Sequence, residues 1–443
     1  MRRIGLTGVA AVAVLGMALA GCTSGGPLAT LPAANGASAS ATGAAASPSA
    51  KPTPAGPAVT ITPGNGSRGA DPSKGITVTA SGGTLKNVSV HTAGDPVTGS
   101  YSAGNTSWHS TWALNVSQSY TVTVTAAASN GSTVTKTAAF RTLTPASTFT
   151  TEILEGAGQS YGVGMPIILY FSQRITNRAA VERALQVTTS KPVVGSWYWD
   201  YPCNMAATCA YFRPRDYWPA YTTVSFTGHL NGVEGAPGVY GVHDLTQTFS
   251  IGQSVIAVAS TTDHHTLIYV GGQVQYDWPI STGRATMPTP DGTYLTVDKS
   301  NPVRMIGGTK GTPGYYNELV NWAVRFTYSG DYYHSAPWSV VDQGTTNVSH
   351  GCVNLPPEDA QIYYNMAIPG DPITITNSPK GGNWDDGWTQ WFLGWSQFLQ
   401  GSATHMAVEA GPSGSKFVSP SSLPADTATA PVGTSTAGNY FAC

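Results

Sequence analysis

The chain has 443 residues, only 10% of them Asp, Glu, Lys or Arg, and its formal net charge is −2. A charged fraction so far below the usual quarter of a globular domain, with no basic excess, excludes the electrostatic footprint of a nucleic-acid binder or of a protein held by anionic lipid charge. Polarity comes instead from Thr, Ser, Asn and Gly, a composition suited to short strands joined by turns.

Met1-Arg2-Arg3 precedes an apolar run of Ala, Val, Leu and Met that is too short to cross a bilayer, the pattern of an export signal over 1–21. It runs into Leu19-Ala20-Gly21-Cys22, which resembles the bacterial lipoprotein processing box. Cys22 is therefore expected to be the lipidated mature N-terminus, holding the protein on the outer face of the plasma membrane, towards the cell wall. Residues 22–57 are almost wholly Ala, Ser, Thr, Gly and Pro. Such a stretch cannot bury enough apolar surface to offset its ordering entropy, so a disordered tether is expected.

Residues 58–144 show short alternating runs, such as Ile76 to Ala80 and Tyr120 to Val124, separated by Gly, Asn and Pro. The same habit continues through 145–251, with Pro166 to Phe171 and Thr223 to Phe226 as strands and one helical stretch at Arg178 to Leu185. Both modules are expected to be immunoglobulin-like β-sandwiches arranged in tandem as a stalk. Neither carries a catalytic constellation.

A third, β-rich module at 252–378 opens with Ser254 to Val258, Thr266 to Val270 and Val274 to Ile280, and the Gly271-Gly272 break signals a hairpin. The polar segment Lys299 to Asn317 is expected to overlie the sheet as a flap, because long loops of this kind usually carry function. One short helix is expected from Glu358 to Met366, with Ile362, Tyr363 and Met366 as its apolar residues, followed by a strand at Asp371 to Thr376. Residues 379–400 hold Trp384, Trp388, Trp391 and Trp395 at spacings of four, three and four, which predicts one helical face packed on the catalytic module. Residues 401–443 are small and polar and are expected to be disordered. The fold class is thus mostly β.

Five cysteines need separate explanations. Cys22 belongs to the processing box, Cys443 ends the chain, and Cys203 and Cys209 lie close enough for a local disulfide in an oxidising compartment. Cys352 is left as an unpaired thiol in an exported protein. It sits in Ser349-His350-Gly351-Cys352-Val353-Asn354, where the glycine permits a tight turn that exposes the thiol and adjacent N–H groups. Acyl transfer needs such a nucleophile, a base, and donors aimed at the developing oxyanion. His350 lies too near in sequence to reach the thiol with good geometry. His334, on the preceding strand-like run, can approach from across the sheet and is the expected base, with His350 a hydrogen-bonding support.

A histidine followed by fourteen residues and Ser-His-Gly-Cys-x-Asn resembles the signature of the L,D-transpeptidase family. Tyr328 to Gly330, His334 to Val340 and Asn347 to Asn354 are similar to its lipoprotein branch with an immunoglobulin-like stalk. The resemblance implies that Cys352 forms an acyl-enzyme, that His334 accepts its proton, and that the Ser335 carbonyl orients the imidazole with no acidic side chain required, so that Asp331 and Asp342 have no role. It implies an oxyanion hole from the Gly351 and Cys352 N–H groups, with Ser349 and Asn354 bracing the turn within the substrate site. It also implies a flap-covered cleft lined by Met305, Tyr316 and Trp338, with Tyr315 competing for the place of Tyr316. The implied partners are peptidoglycan tetrapeptide stems, joined by 3→3 cross-links with release of D-alanine, and carbapenem-type β-lactams as covalent inhibitors. No metal or organic cofactor is implied.

Other readings fit less well. A sortase uses an arginine downstream of its cysteine, and no arginine follows Arg325. Papain-like peptidases place Cys before His. A non-enzymatic wall-binding lipoprotein leaves the third module unexplained, and Asp263-His264-His265 lacks companion ligands for a metal.

Overall fold

In the computed structural model, which describes residues 56–203, 205–312 and 315–423, the alternation along Ser119–Ala127 buries Tyr120, Val122, Val124 and Ala126 and leaves the intervening threonines partly exposed. The period of two matches the pleat, so one face meets a core and the other water. This strand pairs with Thr84–Thr92 on one side and Thr133–Thr142 on the other, and Arg68–Ala70 completes the four-stranded sheet. A second sheet of Ala58–Thr62, Thr77–Ser81, Ser107–Ser110 and Gly99–Tyr101 closes the first sandwich over Val59, Ile61, Val78 and Trp108. Cys22, the signal and tether up to residue 55, and Cys443 lie outside the described residues.

The second sandwich follows at once. Ser73 Oγ donates to the Gly232 carbonyl at 2.9 Å and accepts from the Glu234 N–H at 2.9 Å, while Trp112 stacks on His229 at 3.9 Å. One sheet is Thr151–Ile153, Ile167–Phe171, Thr208–Pro214 and Val193–Asp200; the other is Ser160–Tyr161, Leu245–Ile251, Thr223–Gly228 and Leu185–Thr189. The expected helix spans Arg178–Arg183. Cys203 and Cys209 are joined as a disulfide.

The expectation of disorder after residue 401 fails for 402–423. Ala407–Gly411 and Gly414–Val418 form a hairpin that extends the sheet of the second sandwich, with Val193 opposite Ala410 and Gly195 opposite Val408. The unpaired edge of Val193–Asp200 is covered by chain from the far end of the sequence. Ala407, Val408 and Ala410 are buried there. The carboxylate of Glu182, itself fully buried, accepts from Ser402 Oγ at 2.6 Å, Ala403 N at 2.7 Å, Thr404 Oγ1 at 2.6 Å and Trp199 Nε1 at 2.7 Å.

The four tryptophans do not share one helical face. Trp384 lies in a turn, Trp388 in a bend, Trp391 in the 3₁₀ turn Gln390–Phe392, and Trp395 opens the short helix Trp395–Gln400. Gly387 has φ 123°, outside any helix, and interrupts the run. Nor does the segment pack on the catalytic module alone. Trp391 Nε1 donates to the Gly164 carbonyl at 2.7 Å and Trp384 Nε1 to Asp200 at 3.1 Å, both in the second sandwich. Arg213 lies 4.2 Å from the Trp391 ring and 4.4 Å from Phe398, while Phe392 meets Tyr294 of the catalytic module edge-on at 4.9 Å. The segment therefore fills the seam between the two modules.

The catalytic module has a five-stranded sheet of Gln273–Pro279, His265–Val270, Val255–Ser260, Pro372–Thr376 and Gly292–Leu295. Gly271 and Gly272 have φ 60° and 82°, as a two-residue turn requires. A four-stranded sheet of Asp298–Ser300, Ala323–Arg325, Tyr332–Ser335 and Val353–Leu355 carries the candidate site. Val324, Tyr333, Val353 and Leu355 from this sheet share one core with Ala257, Ile268, Ile373 and Ile375 of the first. The helix Pro357–Met366 starts with proline and has Glu358 and Asp359 in its first turn, as the helix dipole favours. Tyr363 is its buried aromatic, whereas Ile362 is exposed.

Candidate active site

The residues that matter are placed by one strand pair. Tyr332–Ser335 runs parallel to Val353–Leu355 with Tyr333 opposite Val353 and His334 opposite Asn354. Tyr333 points into the core against Phe326 and Tyr363, so the next residue, His334, takes the other face. There it lines a cleft of about 350 Å³ together with Cys352, the candidate nucleophile two residues before Asn354. A larger cleft of about 710 Å³ on the second sandwich contains no cysteine or histidine, so size does not single out the site.

His334 is buried, and its Nδ1 lies 2.9 Å from the Ser335 carbonyl. The carbonyl can only accept, so Nδ1 carries the proton and Nε2 keeps its lone pair. Burial pushes the imidazole pKa down to about 4, with the hydrogen bond to the Ser335 carbonyl acting in the opposite sense. At neutral pH the ring is therefore an uncharged base.

The turn before Cys352 is held by its own hydroxyl. Ser349 Oγ accepts from the Gly351 N–H at 3.1 Å and donates to the Cys352 carbonyl at 2.6 Å. The Gly351 N–H, expected as an oxyanion donor, is engaged by Ser349 Oγ in this arrangement. The Cys352 N–H has no protein acceptor among the described residues. Gly351 itself is required: its φ is 135°, and a Cβ there would lie 2.3 Å from Asp331 Oδ1. Asn354 braces the loop carrying Trp338, since its Nδ2 donates to Ser339 Oγ at 2.9 Å.

Cys352 is half-buried and its thiol points to the Gly330 carbonyl at 3.8 Å. Burial, and then the Asp331 carboxylate, raise its pKa to about 12, while the backbone N–H of Tyr332 favours the thiolate. His350 does not serve as the hydrogen-bonding support expected for it. Its Nε2 is buried without a partner, and its ring lies against Tyr316 at 4.6 Å.

The flap is a hairpin of Val303–Gly307 and Tyr316–Val320, with Met305 opposite Glu318 and Gly307 opposite Tyr316. Met305, Tyr316, Glu318 and Val320 face the cleft, and Trp338 stands at its rim, 6.0 Å from the His334 ring. Tyr316 rather than Tyr315 takes the cleft position; Tyr315 instead accepts from Asn317 Nδ2 at 3.4 Å.

Sequence reasoning missed the frame behind the turn. Ser281 and Thr282 bind it through contacts that include Val348 N to Ser281 Oγ at 3.0 Å, Asn354 N to Ser281 O at 2.9 Å, Ser349 N to Thr282 O at 3.0 Å, and Thr282 N to Asn347 Oδ1 at 2.9 Å. Thr289 Oγ1 donates to the Gly351 carbonyl at 2.6 Å. Asp331, given no role by the resemblance, lies against Gly351. The only signal for it was a carboxylate three positions before His334. His264 instead bonds Asn347 at 3.0 Å, and His265 pairs with Asp277 at 2.7 Å.

Comparison with known proteins places the chain in a family. The family model of a bacterial Ig domain matches residues 67–234, and that of the L,D-transpeptidase catalytic domain matches residues 254–375. The chain is 33% identical over 351 residues to L,D-transpeptidase 2 of Mycobacterium tuberculosis (strain CDC 1551 / Oshkosh), covering 76% of this chain and 85% of the relative. It is 32% identical over 356 residues to L,D-transpeptidase 5 of Mycobacterium tuberculosis (strain ATCC 25618 / H37Rv), covering 79% and 78% respectively. A crystal structure of L,D-transpeptidase 3 from Mycobacterium tuberculosis in complex with a faropenem-derived adduct aligns with a TM-score of 0.41 at 31% identity, covering 51% of this chain and 97% of that one. By the extent of the first two matches, the chain belongs to the L,D-transpeptidase family.

Proposed function

We propose that this enzyme forms 3→3 cross-links in peptidoglycan through a thioester on Cys352. The observation that carries the reading is the shared cleft of Cys352 and His334, with the His334 tautomer set so that Nε2 is free to take a proton. The Cys352 sulfur attacks the carbonyl between the third stem residue, a diamino acid, and the terminal D-alanine. Its proton passes to His334 Nε2, the C–N bond breaks, and D-alanine leaves with that proton. An amine of a second stem then attacks the thioester and gives its proton to His334; the C–S bond breaks, and the departing sulfur takes that proton back as the Cys352 thiol. The Cys352 N–H supports the oxyanion, and the flap limits water that would hydrolyse the thioester.

Neutral thiol and neutral imidazole are the resting forms, since burial disfavours both charges. Proton transfer therefore accompanies attack rather than preceding it. A carbapenem-type β-lactam presents a strained amide of similar geometry and acylates the same sulfur. Incubating the protein with a defined tetrapeptide stem and an amine acceptor, followed by mass spectrometry, tests the activity. Release of D-alanine with a cross-linked product supports it; an unchanged stem sinks it.

Lipidation of Cys22 and attachment to the outer face of the plasma membrane are a separate proposal, supported by the Leu19-Ala20-Gly21-Cys22 pattern. One acyl chain binds only marginally, so stable anchoring requires the several chains of a mature lipoprotein. Cys22→Ala should move the protein from the membrane fraction to the medium. Continued membrane retention would contradict the proposal.

A further inference from the structure

We propose that Asp331 is a positioning residue that places a carboxylate beside the Cys352 sulfur, holds it in the thiol form, and so couples the reactivity of the nucleophile to the charge on a neighbouring carboxyl. This rests on Cys352 being the acylated group.

The geometry is built into two adjoining turns. Thr327 Oγ1 accepts from the N–H groups of Gly330 at 3.1 Å and Asp331 at 2.7 Å, and it lies 3.3 Å from Asp331 Oδ2. The turn presents its two ends to the nucleophile. The Gly330 carbonyl receives the thiol, and the Asp331 carboxyl fills the space that a side chain at residue 351 would occupy. A carbonyl and a carboxylate are both acceptors, so this side of the sulfur welcomes S–H and opposes S⁻. The Tyr332 N–H opposes this.

The groups facing Asp331 allow its own charge to vary. Burial raises its carboxyl to a pKa of about 6; Lys380 opposes that shift, and Asp386 adds to it. Asp386 is itself engaged by Ser329 through the N–H and Oγ, both at 2.6 Å. From the flap, Tyr316 presents a phenol whose ionisation is opposed first by burial and then by Cys352 and Asp331. His350, on the nucleophile's loop, has Arg284 as its charged neighbour. The carboxyl therefore changes charge near pH 6, against the Gly351 backbone that leads into the nucleophile.

The sign is fixed by the charges. Below about pH 6 Asp331 is neutral and does not oppose the thiolate; as pH rises through that value its charge appears and pushes the thiol pKa up. The rate of Cys352 alkylation by iodoacetamide, measured on the full chain by peptide mass spectrometry between about pH 5 and 9, should rise with pH, flatten near pH 6, and then resume. Asp331→Asn should abolish that inflection and speed alkylation at pH 7.5 by about tenfold, the effect of one pKa unit. A wild-type profile with uniform slope through pH 6 overturns the proposal whether or not the variant folds, and so does a folded Asp331→Asn protein that is alkylated no faster. Alkylation reads the thiol alone, so a carbapenem adduct mapped elsewhere would defeat the catalytic reading of Cys352 while leaving this profile intact.

Discussion

His334 stands opposite Asn354 in a parallel strand pair, and the two residues brace the site from neighbouring strands. His334 takes its orientation from the carbonyl of the following residue, and Asn354 reaches across to Ser339, beyond the Trp338 loop. Asn354 is buried, and removing its amide takes away the shortest hydrogen bond of the Ser339 hydroxyl, which also contacts the Ala336 carbonyl and Gln343 Nε2, both at 3.3 Å. Asn354→Ala should cost about 1–3 kcal/mol in denaturant unfolding and slow acylation, because the Trp338 rim loosens. Unchanged stability and rate would show that the brace is idle.

The C-terminal hairpin predicts a sharp boundary for truncation. Ending the chain after residue 400 removes the hairpin and three of the four donors to Glu182, whereas ending it after residue 423 keeps them. A buried carboxylate stripped of partners typically costs about 3–5 kcal/mol, so the shorter protein should melt well below the longer one. Equal melting temperatures would mean that the hairpin contributes nothing.

Glu155 gives a pH prediction. It is buried, one oxygen accepts from Ile168 N at 3.3 Å, the other has no partner, and burial raises its pKa to about 8. The folded state thus binds the proton more tightly than the unfolded state, and stability falls as pH rises from the unfolded carboxyl value through about 8. Glu155→Gln cannot ionise. Its stability relative to the wild type should climb across that window, measured by denaturant unfolding at several pH values. A pH-independent difference would contradict the burial argument.

Tyr316 closes the cleft by resting on His350. Tyr316→Phe keeps the ring contact and should acylate nearly as fast as the wild type. Tyr316→Ala loses a contact of about 0.5–1.5 kcal/mol and the cover it provides, and should lower kcat/KM by roughly tenfold. Equal loss in both variants would assign the role to the hydroxyl instead.

The strand modules, the hairpin at Gly271-Gly272 and the pairing of His334 with the Cys352 loop were legible because alternation and a short motif are local signals. What was not legible depends on distant chain. Ala407–Gly411 has too little apolar surface to announce a strand, and its partner Val193–Asp200 lies some two hundred positions earlier. The tryptophan spacing suggested a helix, but Gly387 and the demands of the seam with Gly164 and Asp200 prevailed over periodicity. The Gly351 N–H appeared free for an oxyanion because nothing in the sequence indicates that Ser349 folds back upon it. Asp331 was passed over because its proximity to Gly351 arises from a tertiary turn.

The central claim is that Cys352 is the acylated nucleophile and that His334 makes it reactive. A thiol with no help is only a few per cent ionised at neutral pH, and here burial holds it lower still. The direct measurement is to incubate the full chain with a carbapenem and map the added mass by peptide mass spectrometry, in the wild type, Cys352→Ala and His334→Ala. The adduct should sit on Cys352, vanish in Cys352→Ala, and form about 10²–10⁴ times more slowly in His334→Ala. An adduct on Cys203, Cys209 or Cys443, or one that persists in Cys352→Ala, would contradict the account.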